Sequence, residues 1–193
     1  RIELMNLNNN FNNNLIYYMM ISIHAFLMIF FMTMPIIIGS FSNWIIPMMI
    51  GSSDLMYPRL NNFSFWLLVP SLFTMILSMF TSSKIYTGWT LYPPLSIQNS
   101  VSINFIIFSI HLNGMSSILS SMNFIISMML MNTNRMYMYN LSLYCWSIIV
   151  TSMLLVISVP VLASGITMII LDHNFNTMFF NPLGSGNPII FQH

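Results

Sequence analysis

The chain has 193 residues, 56% of them hydrophobic and only 4% charged, whereas a soluble domain carries about 25% charge; the composition excludes a soluble protein and describes an integral membrane one. A formal net charge of +1, with no basic stripe to track a phosphate backbone, excludes nucleic acid as a partner. The single cysteine, Cys145, excludes a disulfide within the chain and a cysteine metal cluster, and reads as a small apolar packing residue.

The chain opens with an asparagine-rich lead, Arg1 to Asn14, of low complexity and too polar to span, which reads as a surface loop. No basic segment precedes a short apolar core with a cleavage site, so no signal peptide is expected. A start at Arg1 instead of Met reads as a piece of a longer chain. The 21 Met, with many Ile, Phe, Asn and Tyr, read as translation of an AT-rich organellar gene.

Leu15 to Gly39 is one apolar run, longer than the roughly 20 residues that cross a hydrocarbon core as a helix. The predicted span covers 15–50, with Pro35, Gly39 and Pro47 as expected kinks. His24 falls inside it. An ionisable residue at that depth is a functional-site candidate, either a cofactor ligand or a neutral imidazole bonded to a neighbouring helix.

The loop Gly51 to Asn62 carries Asp54, which is either a solvated acid or the mouth of a polar path. The second predicted span is 63–81, with Phe65 and Trp66 as interfacial anchors. A turn-rich connection through Gly88, Trp89, Pro93 and Pro94 leads to the third, 101–131, and a polar loop leads to the fourth, 141–171. The tail holds a Gly/Pro/Asn turn cluster, and its final residues, PIIFQH, read as the opening of a further helix. Loop charge leaves orientation open, because Arg59 and Arg135 oppose Arg1 and Lys84.

The third span has the strongest pattern. Ser109, Asn113, Ser116, Ser120, Asn123 and Ser127 recur at steps of four and three, forming one polar stripe on an otherwise apolar helix. Two readings stand: close packing of small residues against another helix, or a hydrated conduit for protons or ions.

Four stretches now combine. HAFLMIFFMTMPIIIGSFSNWIIPMMIGSSDLMYPRLNNFSFWLL, TGWTLYPPLS, IFSIHLNGMSSILSSMNF and PVLASGITMIILDHNFNTMFFNPLGSGNPIIFQH closely resemble the subunit I family of mitochondrial cytochrome c oxidases, within the haem-copper oxidases. The resemblance runs in order over the whole chain. It implies an all-α polytopic transmembrane bundle, with 1–193 supplying about four spans of a twelve-helix subunit.

The resemblance also implies roles. His24 takes the place of an axial ligand of the low-spin haem, haem a, with Arg1 and Trp89 at the haem periphery and Glu3 at a peripheral cation site. Asp54 takes the mouth of a proton-uptake path, with Asn43 and Asn61 just inside and Ser116, Ser117 and Asn123 further on. In the family, the ligands of the second haem and of copper lie beyond residue 193, so no catalytic residue of oxygen reduction is expected here. His111 and His173 read as structural.

The complete protein is then expected to pass electrons from cytochrome c to dioxygen, form water and pump protons. It would do so in the inner mitochondrial membrane, assembled with other oxidase subunits, notably the one that receives electrons from cytochrome c. The segment alone is not expected to be active. Departures from the family pattern are Ser40 and Ser42 for glycines, Asn181 and Asn187 for acids, His173 for an arginine, and Asn13 and Asn14 for an acidic pair. The competing classes are a small membrane channel or transporter, which would use the stripe alone, and a b-type cytochrome, for which two in-span histidines, His24 and His111, are too few for paired sites.

Overall fold

The computed structural model describes residues 5, 14–81, 85–97, 100–131 and 138–192. Arg1 and Glu3, assigned above to the haem periphery and a cation site, lie outside the described residues, as do Lys84 and Arg135. All regular structure among the described residues is helical. Four stretches are long and apolar enough to cross a membrane: Ile16–Ile50, Pro58–Phe80, Val101–Leu130 and Leu143–Phe175. This is a multi-pass membrane protein.

The first span is not α-helical throughout. Helix α1, Asn14–Phe26, passes into π-helical segments Leu27–Thr33 and Pro35–Phe41, and α2, Ser42–Ile50, completes the span. Proline removes a backbone donor, and the widened turns accommodate that loss with bonds reaching five residues back. Met34 N–H donates to Ile29 O, and Thr33 Oγ1 donates to Met28 O at 2.7 Å. Gly51, at φ 76°, ends α2, and the N–H groups of Gly51 and Ser52 both donate to Pro47 O, at 2.9 and 3.0 Å.

Helix α3, Pro58–Phe80, begins at Pro58 instead of Phe63, because proline is preorganised for the first turn of a helix. Helices α4, Val101–Leu130, and α5, Leu143–Asn174, follow. The residues after Asn187 form only a short 3-10 turn, Pro188–Gln192.

Helix α4 is the centre of the bundle. Of its most apolar stretch 44% is buried, against 11 to 22% for the other three spans, so it is also the helix that can carry polar groups away from lipid. Two apolar clusters flank its middle. One gathers Ile103, Ile106, Ile107 and Ile110 with Ile23, Phe26, Met75 and Ile166. The other gathers Phe124 and Met128 with Ile46, Ile50, Cys145 and Ile149.

Between α3 and α4 the contact is a ladder of small polar residues at seven-residue steps. Ser71 Oγ donates to Ser109 O at 2.7 Å, and Ser109 Oγ donates back to Ser71 O at 2.8 Å. One step along, Ser116 Oγ donates to Ser64 O at 2.7 Å. At the opposite end the hydroxyls of Thr81 and Ser102 are hydrogen-bonded. A step towards the N-terminus of α3 is a step towards the C-terminus of α4, the register of an antiparallel pair. Small side chains let the backbones approach closely enough for hydroxyl-to-carbonyl bonds across the interface.

Candidate functional site

The polar stripe of α4 divides among three tasks. Ser109 is spent on the ladder, and Asn113, Ser120 and the ladder's Ser116, with neighbouring Ser117, line a cavity of about 200 Å³. Gly39, Ser40 and Asn43 of the first span close one side and Asn61 and Ser64 of α3 another, and Met34, Pro35, Ile38, Phe65 and Leu68 make the rest of the wall apolar. Asn43, Asn61, Ser116 and Ser117, assigned separately in the sequence, therefore meet around one space. Asp54 and Asn123 do not line it.

The hydroxyl protons around the cavity are directed into the helices. Ser117 Oγ donates to Gly114 O at 2.8 Å, Ser120 Oγ to Ser116 O at 2.6 Å and Ser64 Oγ to Asn61 O at 2.7 Å. Each such oxygen keeps lone pairs for the cavity. Asn43 Nδ2 donates to Gly39 O at 2.5 Å, while Asn43 Oδ1 is buried with no partner among the described residues. A buried acceptor of this kind is ordinarily satisfied by ordered water.

Asn123 acts on the loop instead. Its Oδ1 accepts from Tyr57 N–H at 3.1 Å and its Nδ2 donates to Tyr57 O at 3.2 Å. One turn further along α4, Ser127 Oγ accepts from Met56 N–H at 2.9 Å. The stretch between Asp54 and Asn61 is thus fastened to the end of α4. Asp54 itself is exposed, and its Oδ1 accepts from the adjacent Leu55 N–H at 2.7 Å.

His24 lies off the packed face of α1. Met19, Ile23 and Phe26 are buried, and His24, between them in sequence, is exposed. No hydrogen bond joins its imidazole to another described residue, so both ring nitrogens are uncommitted. Such a ring, exposed on an apolar helix face, is of the kind that could hold a haem iron through neutral imidazole. Among the described residues no three His, Cys, Asp or Glu come together as a metal site.

Trp89 stands in a turn that Gly88, at φ 75°, permits. It is exposed, and with Phe26, Phe30, Tyr92, Phe180 and Phe191 it lines a second, aromatic cavity of about 500 Å³. Phe26 is two positions from His24, so this cavity reaches the helix that carries the histidine.

Sequence reasoning passed over two residues here. Asp172 is buried and accepts from the N–H groups of Phe179 at 3.1 Å and Phe180 at 2.9 Å and from the Thr177 hydroxyl, which holds the Phe180 wall in place. An acid closing an apolar helix ahead of a turn cluster was the available signal. Ser64 was detectable through its seven-residue spacing from Ser71 and Ser78.

Four of the departures from the family pattern, Ser42, His173, Asn181 and Asn187, make local hydrogen bonds, whereas Asn13 lies outside the described residues. Asn181 and Asn187 accept from Leu183 and Ile189 N–H, at 3.1 and 2.9 Å, as uncharged turn caps. Ser42 Oγ bonds Ile37 O at 3.1 Å and the Tyr144 hydroxyl at 3.0 Å. His173 Nε2 accepts from Ser100 N–H at 3.3 Å, tying the end of α5 to the start of α4.

The model of the family described as cytochrome C and quinol oxidase polypeptide I matches residues 1–193. Cytochrome c oxidase subunit 1 of Eremothecium gossypii is 45% identical over 183 residues, covering 93% of this chain and 34% of that protein. The protein of the same name from Mytilus edulis is 46% identical over 180 residues, covering 92% and 33%, and that from Yarrowia lipolytica 44% over 198 residues, covering 100% and 37%. The chain spans about a third of the length of the curated relatives it matches.

Proposed function

The chain belongs to the cytochrome c and quinol oxidase polypeptide I family, and from that premise we propose that the whole protein oxidises cytochrome c, reduces dioxygen to water and pumps protons. Its place is the inner mitochondrial membrane, in a complex with the other oxidase subunits. The family match favours this reading over a small channel or a b-type cytochrome. This segment supplies one haem ligand and the first part of a proton path.

Haem a, when bound, supplies a one-electron redox centre. His24 would hold its iron through a ring nitrogen, and Trp89, which lines the same aromatic cavity as Phe26, would stand at its periphery. Arg1 at the haem periphery and Glu3 at a cation site complete the assignment. The second haem and copper are held by residues outside this chain.

The observation that supports the proton path is the cavity on which Asn43, Asn61, Ser116 and Ser117 converge, with Asn43 Oδ1 buried in its wall and without a partner among the described residues. Asp54, exposed at the loop, collects protons from bulk water. Asn123 fixes the backbone between Asp54 and Asn61 through both polar atoms of Tyr57. Inside, Asn43, Asn61, Ser116 and Ser117 order water without adding a charge, which would be costly at that depth.

The test is Asp54→Asn in the assembled oxidase, which keeps the shape and removes the titrating group. Haem spectra stay, while turnover and time-resolved proton uptake fall. Wild-type uptake together with wild-type pumping would remove Asp54 from the path.

A further inference from the structure

We propose that Asn113 is a positioning residue of the oxidase, the side chain that replaces the backbone hydrogen bond lost at Pro35 and so holds the first span in register beneath His24. The inference rests on the reading of His24 as the haem ligand.

The argument begins with one carbonyl. In the segment Leu27–Thr33 bonds run five residues back, as Met34 N–H to Ile29 O shows. The next carbonyl, Phe30 O, would in that register take the N–H of residue 35. Residue 35 is proline and has none. In an α-helical register Phe30 O would take the N–H of Met34, which is already committed to Ile29. The carbonyl is therefore left over by both registers, inside a span where an unsatisfied backbone group is costly.

Asn113 supplies the donor. It is buried on α4, and its Nδ2 lies 2.8 Å from Phe30 O. This side-chain amide is the replacement for a bond that the sequence of the first span cannot make for itself.

Its position gives the bond a consequence. Phe30 lines the aromatic cavity with Trp89, and its ring lies 6.2 Å from that of Phe26, two positions beyond His24. Asn113 lines the other cavity with Asn43 and Ser116. One hydrogen bond thus joins the walls of the two sites, and the turn it holds sets the rotation of His24 relative to Asn43 along the same span.

The test uses the restored donor. In the assembled oxidase, Asn113→Leu keeps a similar volume and removes the N–H, so the low-spin haem band and its midpoint potential shift and proton uptake falls severalfold. Pro35→Ala returns an N–H to residue 35. In that background the same Asn113→Leu substitution leaves band, potential and uptake where Pro35→Ala alone puts them. Equal shifts in both backgrounds, or no shift in either, overturn the inference.

Should Asn113→Leu prevent assembly, the amount of haem-loaded complex in membranes becomes the readout. Recovery by Pro35→Ala supports the proposal and continued loss refutes it. His24→Leu is examined alongside. If it keeps the low-spin spectrum, the haem reading is what fails, and the thermal midpoints of the same four proteins then decide the fate of the Asn113–Phe30 bond.

Discussion

Tyr57 and Asn123 exchange two hydrogen bonds, 66 residues apart in sequence: the amide of the side chain both accepts from and donates to the backbone of the tyrosine, at 3.1 and 3.2 Å. The geometry is that of one rung of a β-ladder, made by a side chain. It converts the loop after the first span into a fixed extension of α4, and Asp54 stands on that loop.

Asn123→Leu removes both bonds while filling the same volume. Each lost bond is worth about 1 kcal/mol, so the bundle survives and the loop loosens. Hydrogen exchange at the Tyr57 amide is expected to quicken, and proton uptake to slow, with the haem spectrum unchanged. An amide as protected as in the wild type would show that the loop is held by its apolar contacts, chiefly buried Leu55.

His24→Leu, an apolar replacement on an exposed helix face, leaves the packing of α1 intact, because Met19, Ile23 and Phe26 make its buried contacts. The expected outcome is an assembled oxidase without the low-spin haem band. A variant that retains that band removes His24 as the ligand.

Much of this arrangement was legible in the sequence, for a physical reason. Hydrophobic length alone fixes four spans, and the three- and four-residue spacing of Ser109 to Ser127 places them on one helical stripe. What the stripe does was not legible, since periodicity identifies a face and not its partner. Ser109 turned out to face Ser71, whereas Asn113 and Ser120, on the same stripe, face a cavity. The π-helical register was also hidden, because Pro35 predicts a lost donor but says nothing of where its orphaned carbonyl will turn. Residue-by-residue resemblance implies a place for Asn123 on the proton path, and its two bonds to the loop's backbone are visible only in the fold.

The ladder between α3 and α4 yields a stability prediction. Ser71→Ala removes one of two reciprocal bonds, and such interhelical bonds average about 0.6 kcal/mol in membranes, so a small fall in thermal midpoint is expected. Ser71→Leu is expected to cost far more. Ser71 is fully buried against Ser109, and overpacking typically costs about 1–3 kcal/mol. Thermal unfolding of the two purified variants checks the order, and equal midpoints would mean that closeness of the backbones is not what this interface needs.

The final prediction separates structure from function at Asn43. A residue selected for packing loses stability when replaced; one retained for transport costs stability while present. Asn43 Oδ1 is buried without a partner among the described residues, so it is left to an ordered water whose immobilisation costs about 0–2 kcal/mol. Its Nδ2 does bond Gly39 O, at 2.5 Å, but that carbonyl belongs to a helix with backbone donors of its own. Asn43→Leu therefore loses a modest bond and removes the penalty, so stability is expected to hold or rise. The same substitution lines the cavity with a methyl-bearing side chain at the point where an acceptor for water stood, so proton uptake is expected to fall. Opposite movements of thermal midpoint and uptake rate are the signature of a functional polar group kept at a structural cost. A fall in both would make Asn43 a structural residue of the first span, and the cavity's polar wall would then rest on Asn61, Ser116 and Ser117.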